Sequence, residues 1–378
     1  MLPHTYSQSH PLLAAATVAR IEPSVHPHPL LPAAIRHIIH LNRNVGLKHA
    51  AIHLARVKPN TASLIFHRHR TDEEWTYILS GTGVCDLSSE NEDGTLDHTR
   101  METVDIGAGD FIGHKRDGHG HCLRNTSDTE DLVYLCGSES FEGEIICEYP
   151  TVGKVLFVRK GQSHRYEELP PPPPSPPPPA AARPTQKASE QDKSASVSRD
   201  TSALPQSYRQ THPVLHARTI ARIEPDKRSH SLLPTAERHI ILLDDIVGLT
   251  HTGVHLARVP PGKTSLAFHN HRTDEEWTYV LSGTGVCDLS SEKDGTLDHL
   301  RIESVPVREG DFLGFVRNGR AHCLRNTSET EDLVYLCGGE RVAEVVCEYP
   351  LARKIRYISV GPDGKDTAVR IEDWSPSA

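Results

Sequence analysis

The chain contains the same unit twice. TVARIEP from Thr17 aligns with TIARIEP from Thr219, an offset of 202, and both runs lead into LLP and then RHII. HLARV recurs from His53 and His255, RHRTDEEWTY from Arg68 differs from NHRTDEEWTY from Asn270 only in its first residue, and LSGTGVCDLSSE recurs from Leu79 and Leu281. One residue is lost where SENEDG becomes SEKDG; beyond it the offset is 201, and CLRNTS, TEDLVYLCG and CEYP carry the match to Pro150 and Pro350. The repeat units are therefore 8–160 and 210–362. A single core rarely grows past about 200 residues, so a repeat this long is read as two copies of one domain.

Between the copies lies a linker, 165–208, that opens on LPPPPPSPPPPAAARPTQ from Leu169 and continues as a Ser, Lys and Asp mixture. It has too few apolar side chains to offset its ordering entropy and is expected to be disordered. The proline block reads as a polyproline II rod of roughly 30 Å, at about 3.1 Å per residue. Its PxxP pattern is also a recognition signal for SH3 or WW domains. A tail, 363–378, follows the second copy.

Within each copy, short segments rich in Val, Ile, Leu, Thr and Tyr are broken by Gly, Asn and Asp, which suits strands better than helices. In the first copy the strands are expected at 51–57, 61–68, 75–80, 82–87, 111–114, 121–126 and 132–136, with tight turns at 91–94 and 107–110. The fold class that follows is all-β, two jelly-roll barrels joined by the proline-rich linker. Leu64 and Phe66, with Leu266 and Phe268, leave the 61–68 strand apolar on its outer face, which predicts a cover from the repeat's own N-terminal segment or from the other barrel.

In that strand the alternation sets Ser63, Ile65, His67 and His69 on one face, and two histidines at i and i+2 stand roughly 6 to 7 Å apart there. Glu74 opens the next strand after a short turn, and His121 returns on a later one. The second copy repeats the set as His269, His271, Glu276 and His322. Three neutral imidazoles and one carboxylate suit a divalent ion, one per barrel, drawn from iron, manganese, nickel or zinc. A six-coordinate ion would keep two positions open for substrate or oxygen. Glu73 is the rival carboxylate. His114 and His119 become Phe315 and Arg320, so they cannot serve chemistry common to both copies. Trp75 and Tyr77 read as core or pocket lining, and Arg124 and Arg325 as solvated or paired cations.

These residues resemble the two signature motifs of the cupin superfamily. His67, His69, Glu74 and Gly81 reproduce HxH, four residues, E, six residues, G; Gly118, His121 and Asn125 reproduce G, two residues, H, three residues, N. His269, His271, Glu276, Gly283, Gly319, His322 and Asn326 do the same. Arg116 and Arg317 stand where the family usually has proline. The resemblance is to a poorly characterised group of tandem cupins; it implies the barrel fold, a metal at the two His/Glu sets, and pairing of the two barrels within the chain. It implies no substrate.

The functional expectation is a metal-dependent enzyme acting on a small organic molecule, a dioxygenase-like oxidoreductase before an isomerase or decarboxylase. The alternative is a non-catalytic module that binds a small ligand or metal for sensing or storage. No general acid or base is identifiable from spacing. A formal net charge of -9 without a basic cluster argues against nucleic acid, and no apolar run is long enough for a membrane span. The N-terminus lacks a secretory pattern, so the expected location is cytoplasmic, with the eight cysteines as reduced thiols. If the two pockets differ in preference, GHGH against GRAH and IGHK against LGFV are the segments expected to cause it.

Overall fold

Strand residues dominate a computed structural model that describes residues 1–139, 143–159, 162–169, 202–361 and 366–373. In the first barrel a seven-stranded antiparallel sheet runs Ser24–His28, Leu31–Ile39, Ala51–Val57, Leu132–Ser138, Glu74–Ser80, Phe111–His114 and then Val214–Leu215. Thr82–Glu90, between His121–Asn125 and Leu96–Gly107, forms a three-stranded sheet. Arg68–His69, Ile145–Tyr149, Lys154–Val158 and Arg165–Glu168 form a four-stranded one. The second barrel repeats all three sheets. No helix among the described residues is long and apolar enough to cross a membrane.

Alternation along Ala51–Val57 turns Ala55 and Val57 into the barrel with Ile78, Leu87, Leu123 and Tyr134. Its other face carries Ile52 and Leu54, and these join Trp75, Tyr77, Phe111 and Leu135 in a core shared with Val254, Leu256, Trp277, Tyr279, Phe312 and Leu336 of the second barrel. A sheet apolar on both faces must be covered on both. Here the second cover is the other barrel.

The copies also exchange strands. Val214 and Leu215 pair with Ile112 and Phe111 of the first barrel, while Leu12 and Leu13 pair with Leu313 and Phe312 of the second. The packing behind these strands leaves no room for side chains. A Cβ on Gly113 would lie 2.4 Å from Val247 Cγ2, and one on Gly314 would lie 2.4 Å from Val45 Cγ2.

Several expectations need correction. The 61–68 strand is regular only at Arg68–His69; before that it touches its neighbours through isolated bridges, Ala62 to Arg124 and His67 to His121. His69 instead pairs with Cys147, so the segment crosses from one sheet to another and simple alternation does not describe it. Phe66 does not face the other barrel: its ring lies over Gly120 in its own barrel, as Phe268 packs on Ala321 and Cys323. The two-sided apolar strands are Ala51–Val57 and Glu74–Ser80.

Domain limits shift as well. Arg165–Glu168, assigned to the linker, pairs along Lys154–Val158, and Asp366–Asp373, assigned to the tail, pairs along Lys354–Val360. Both are largely exposed edge strands, and Val369 and Ile371, the alternating apolar pair of the second, face solvent rather than a core. Leu2 bridges Ile21 and Leu204 bridges Ile223, so each unit begins before residues 8 and 210. The proline block and its recognition by SH3 or WW domains lie outside the described residues.

Candidate metal centres

His67 and His121 are locked side by side by reciprocal backbone hydrogen bonds, with the His121 amide donating to the His67 carbonyl at 2.7 Å. Glu74 begins the neighbouring strand, paired with His114 on one side and Ser138 on the other. Three sheets thus converge on one point. Glu74 Oε2 lies 4.0 Å from His67 Nε2, 3.0 Å from His69 Nε2 and 3.2 Å from His121 Nε2. In the second barrel Glu276 Oε2 lies 3.8, 3.2 and 3.0 Å from Nε2 of His269, His271 and His322.

Ligand atoms about 2.1 Å from one ion sit roughly 3 Å apart when adjacent and roughly 4 Å apart when opposite, and the carboxylate-to-imidazole distances of both sets match that spacing. A further observation fits an ion better than hydrogen bonds. Nε2 of His69 and of His271 is buried and close to the carboxylate, yet has no hydrogen-bond partner. One difference separates the barrels: ligand atoms of His67, His69, Glu74 and His121 all lie within 4.8 Å of one another, whereas His271 falls outside the corresponding group. Its ring centroid is 6.3 Å from that of His322, against 5.7 Å between His69 and His121.

The other ring nitrogens are occupied in a way that leaves Nε2 facing the carboxylate. His67 Nδ1 bonds the Ile65 carbonyl at 2.9 Å, as His269 Nδ1 bonds that of Ala267, so the proton belongs on Nδ1 and the Nε2 lone pair is free. His69 Nδ1 meets Asp72 Oδ2 at 3.0 Å, and His271 Nδ1 meets Asp274 Oδ2 at 2.8 Å. Cys147 and Cys347 place their Sγ atoms 3.7 Å from the same nitrogens. Burial and the charge of His121 hold His67 well below its ordinary value. Although burial opposes it, the hydrogen bond from His121 and the nearby ring of His69 hold the Glu74 carboxyl well below the usual carboxylate range.

Glu73 points elsewhere. Its carboxylate accepts hydrogen bonds from the Thr250 and His251 amides of the other barrel at 2.9 and 2.8 Å. Glu275 accepts from the Lys48 and His49 amides at 2.9 and 2.7 Å. Trp75 and Tyr77 are core residues at the barrel interface. Arg124 and Arg325 pair with Asp86 and Asp288, and Arg116 and Arg317, in place of proline, pair with Glu139 and Glu340. All eight cysteines are free and buried.

Of the divergent residue pairs, one reaches the site: His114 stacks on His121, and Phe315 on His322, at 3.4 Å. His119 and Arg320 turn away, the former to the Ser88 carbonyl, the latter to Glu292 and Glu303.

Each set opens onto a cavity. That of the first barrel, about 270 Å³, is lined by His69, Glu74, Arg36, His40, His53 and Cys136. That of the second, about 480 Å³, is lined by His271, Glu276, Arg238, Leu242, His255 and Cys337. His26 in the first corresponds to Arg228 in the second, and these differences lie outside the segments expected to set preference. His40 and His53 bring their Nδ1 atoms to 3.2 Å. Sequence reasoning missed Asp72, Arg36, His40 and His53. A signal existed for Arg36, since alternation along Leu31–Ile39 sets it on the same inward face as the core residues Ala34 and Ile38.

A profile of the cupin domain matches residues 53–137 and again 255–339. No curated protein matches the chain. Among solved structures, an Acidithiobacillus ferrooxidans protein, provisionally described as a sugar phosphate isomerase, is 34% identical over 42% of this chain and 90% of its own, with a TM-score of 0.36. Oxalate decarboxylase of Lactobacillus farciminis, as a formate complex, is 12% identical over 88% of this chain and 87% of its own, with a TM-score of 0.47. Oxalate decarboxylase of Bacillus subtilis, described with Mn(II) centres, is 14% identical over 88% and 78%, with a TM-score of 0.46.

Proposed function

This chain belongs to the cupin family as a tandem, two-barrel member, and from that premise we propose that it is a metal-dependent enzyme, a dioxygenase-like oxidoreductase acting on a small organic molecule. The observation that carries the reading is the buried set of three imidazoles and one carboxylate, present in both barrels and opening in each onto a cavity. Iron, manganese, nickel or zinc bound there would supply Lewis acidity and open coordination positions.

The chain's own residues supply the rest. His67, His69, Glu74 and His121 hold the ion in the first barrel, and His269, His271, Glu276 and His322 hold it in the second. Asp72 and Asp274 fix the ring orientation of His69 and His271. In the first cavity, His40 and His53 face each other through Nδ1, so one proton between them can be held or passed to a ligand. The buried ring beside each centre, His114 or Phe315 stacked on the third histidine, restricts water there.

Elemental mass spectrometry of untagged protein, with a His67→Ala, His269→Ala double variant, tests the metal sites. Oxygen uptake across a panel of small organic acids tests the activity. Two equivalents of metal, lost in the variant, with oxygen consumption support the proposal. Retained metal with no turnover of any panel member overturns the enzymatic part and leaves a ligand-binding role.

A further inference from the structure

Many arginines in these barrels have a carboxylate partner. Arg68 and Arg70 share Glu148, Arg124 has Asp86, Arg325 has Asp288, and Arg341 has Asp244. Arg36 and Arg238 do not. Among the described residues no carboxylate oxygen lies within 4.0 Å of either guanidinium, and Nε of each is buried without a hydrogen-bond partner. Tyr134 and Tyr335 are neighbouring neutral side chains that act on them. The carboxylates that act on them from a distance are Glu74 and Glu276, whose Oε2 atoms are already turned to the three imidazoles.

A guanidinium stays charged at any accessible pH, so a half-buried one with no carboxylate beside it favours an anion in the cavity that it lines. Each one lines the same cavity as two metal-centre residues, His69 and Glu74 or His271 and Glu276. Its planar fork matches the oxygen pair of a carboxylate or phosphate.

We infer that Arg36 and Arg238 each anchor an oxyanion site beside the metal centre, binding the carboxylate or phosphate group of a small ligand whose other end faces the His/Glu set. This rests on the metal-dependent reading for the second point of attachment, but the anion contact belongs to the arginine alone. The inference names a ligand class, small organic anions, and a residue in each barrel that selects it.

The test is calorimetric titration with glycolate, glycerol 1-phosphate and ethylene glycol, on protein loaded with Mn(II) and on the same protein stripped of metal. Wild type is expected to bind at least one of the anions and not the uncharged diol; which anion binds tighter assigns the group as carboxylate or phosphate. An Arg36→Leu, Arg238→Leu variant should bind that anion about 10- to 100-fold more weakly, the range for a lost charge-assisted contact, with manganese content unchanged. An Arg36→Lys, Arg238→Lys variant, which keeps the charge and loses the fork, should fall between the two and serves if the leucine variant does not fold. Affinity unchanged in a folded variant, equal binding of the diol, or no binding of either anion overturns the inference. Absence of manganese binding would instead sink the metal-dependent reading, while the stripped-protein titration still reads the arginines.

Discussion

Trp75 and Trp277 stack with ring centroids 5.2 Å apart and planes 8° from parallel, so the same residue of each copy meets its counterpart across the boundary between the barrels. Both are fully buried, at 0% and 1% exposure. The boundary is therefore built like a domain interior, and the two barrels should unfold together.

Truncating that stack tests the coupling. Trp75→Ala is expected to cost about 3 to 5 kcal/mol, as large aromatic deletions in cores do. Chemical denaturation followed by circular dichroism should still give one transition at a lower midpoint. Two separated transitions in the wild type would contradict a shared core.

The strand exchange predicts that the connection between copies is dispensable for their association. Protein cleaved once between residues 175 and 195 should elute from a sizing column as one species. Leu12–Leu13 and Val214–Leu215 each complete the sheet of the opposite barrel and hold the halves together. Two half-sized species under native conditions would refute this.

Adjacent glutamates should behave oppositely. Glu73→Ala removes a buried carboxylate that accepts the amides of Thr250 and His251 and leaves those donors unsatisfied, which costs about 1 to 3 kcal/mol. Metal content should be unaffected. Glu74→Ala should lose the first barrel's metal, read by elemental analysis, and the reverse outcome would exchange their roles.

Asp72 and Asp274 hold Nδ1 of His69 and His271. Asp72→Asn combined with Asp274→Asn should lower metal affinity about 10- to 100-fold in chelator competition, the usual range for a partner that orients a ligand. Unchanged affinity would make these aspartates purely structural.

The cavity histidines of the first barrel give a pH dependence. Burial, followed by the neighbouring His40, pushes His53 down to about 3; burial, followed by Arg43, pushes His40 down to about 4. Both are neutral in the folded chain where the unfolded chain, at about 6.5, already takes up protons. Their contribution to stability is complete above about pH 6.5 and is lost as pH falls from there towards 3. His53→Gln should flatten the decline of the denaturation midpoint between pH 7 and pH 4.5, and an equally steep decline would show that other groups cause it.

The His/Glu sets were legible because their spacing is local and repeated: HxH and the following glutamate lie within eight residues, and the returning histidine keeps its glycine and asparagine neighbours in both copies. Asp72 was harder to see, because a turn aspartate three residues after His69 has many possible uses until the chain reversal brings Oδ2 to Nδ1.

The duplication, the all-β class and the paired metal ligands were determined by the sequence itself, since repeat register, strand periodicity and motif spacing are properties of neighbours along the chain. Tertiary structure alone decided which barrel each N-terminal strand completes, that Glu73 crosses to the other copy, and that Arg36 and Arg238 line the cavities beside the His/Glu sets without an ion-pair partner. Those relationships join residues about 30 to 300 positions apart, and they depend on which apolar face finds which cover, a choice made by packing rather than by local pattern.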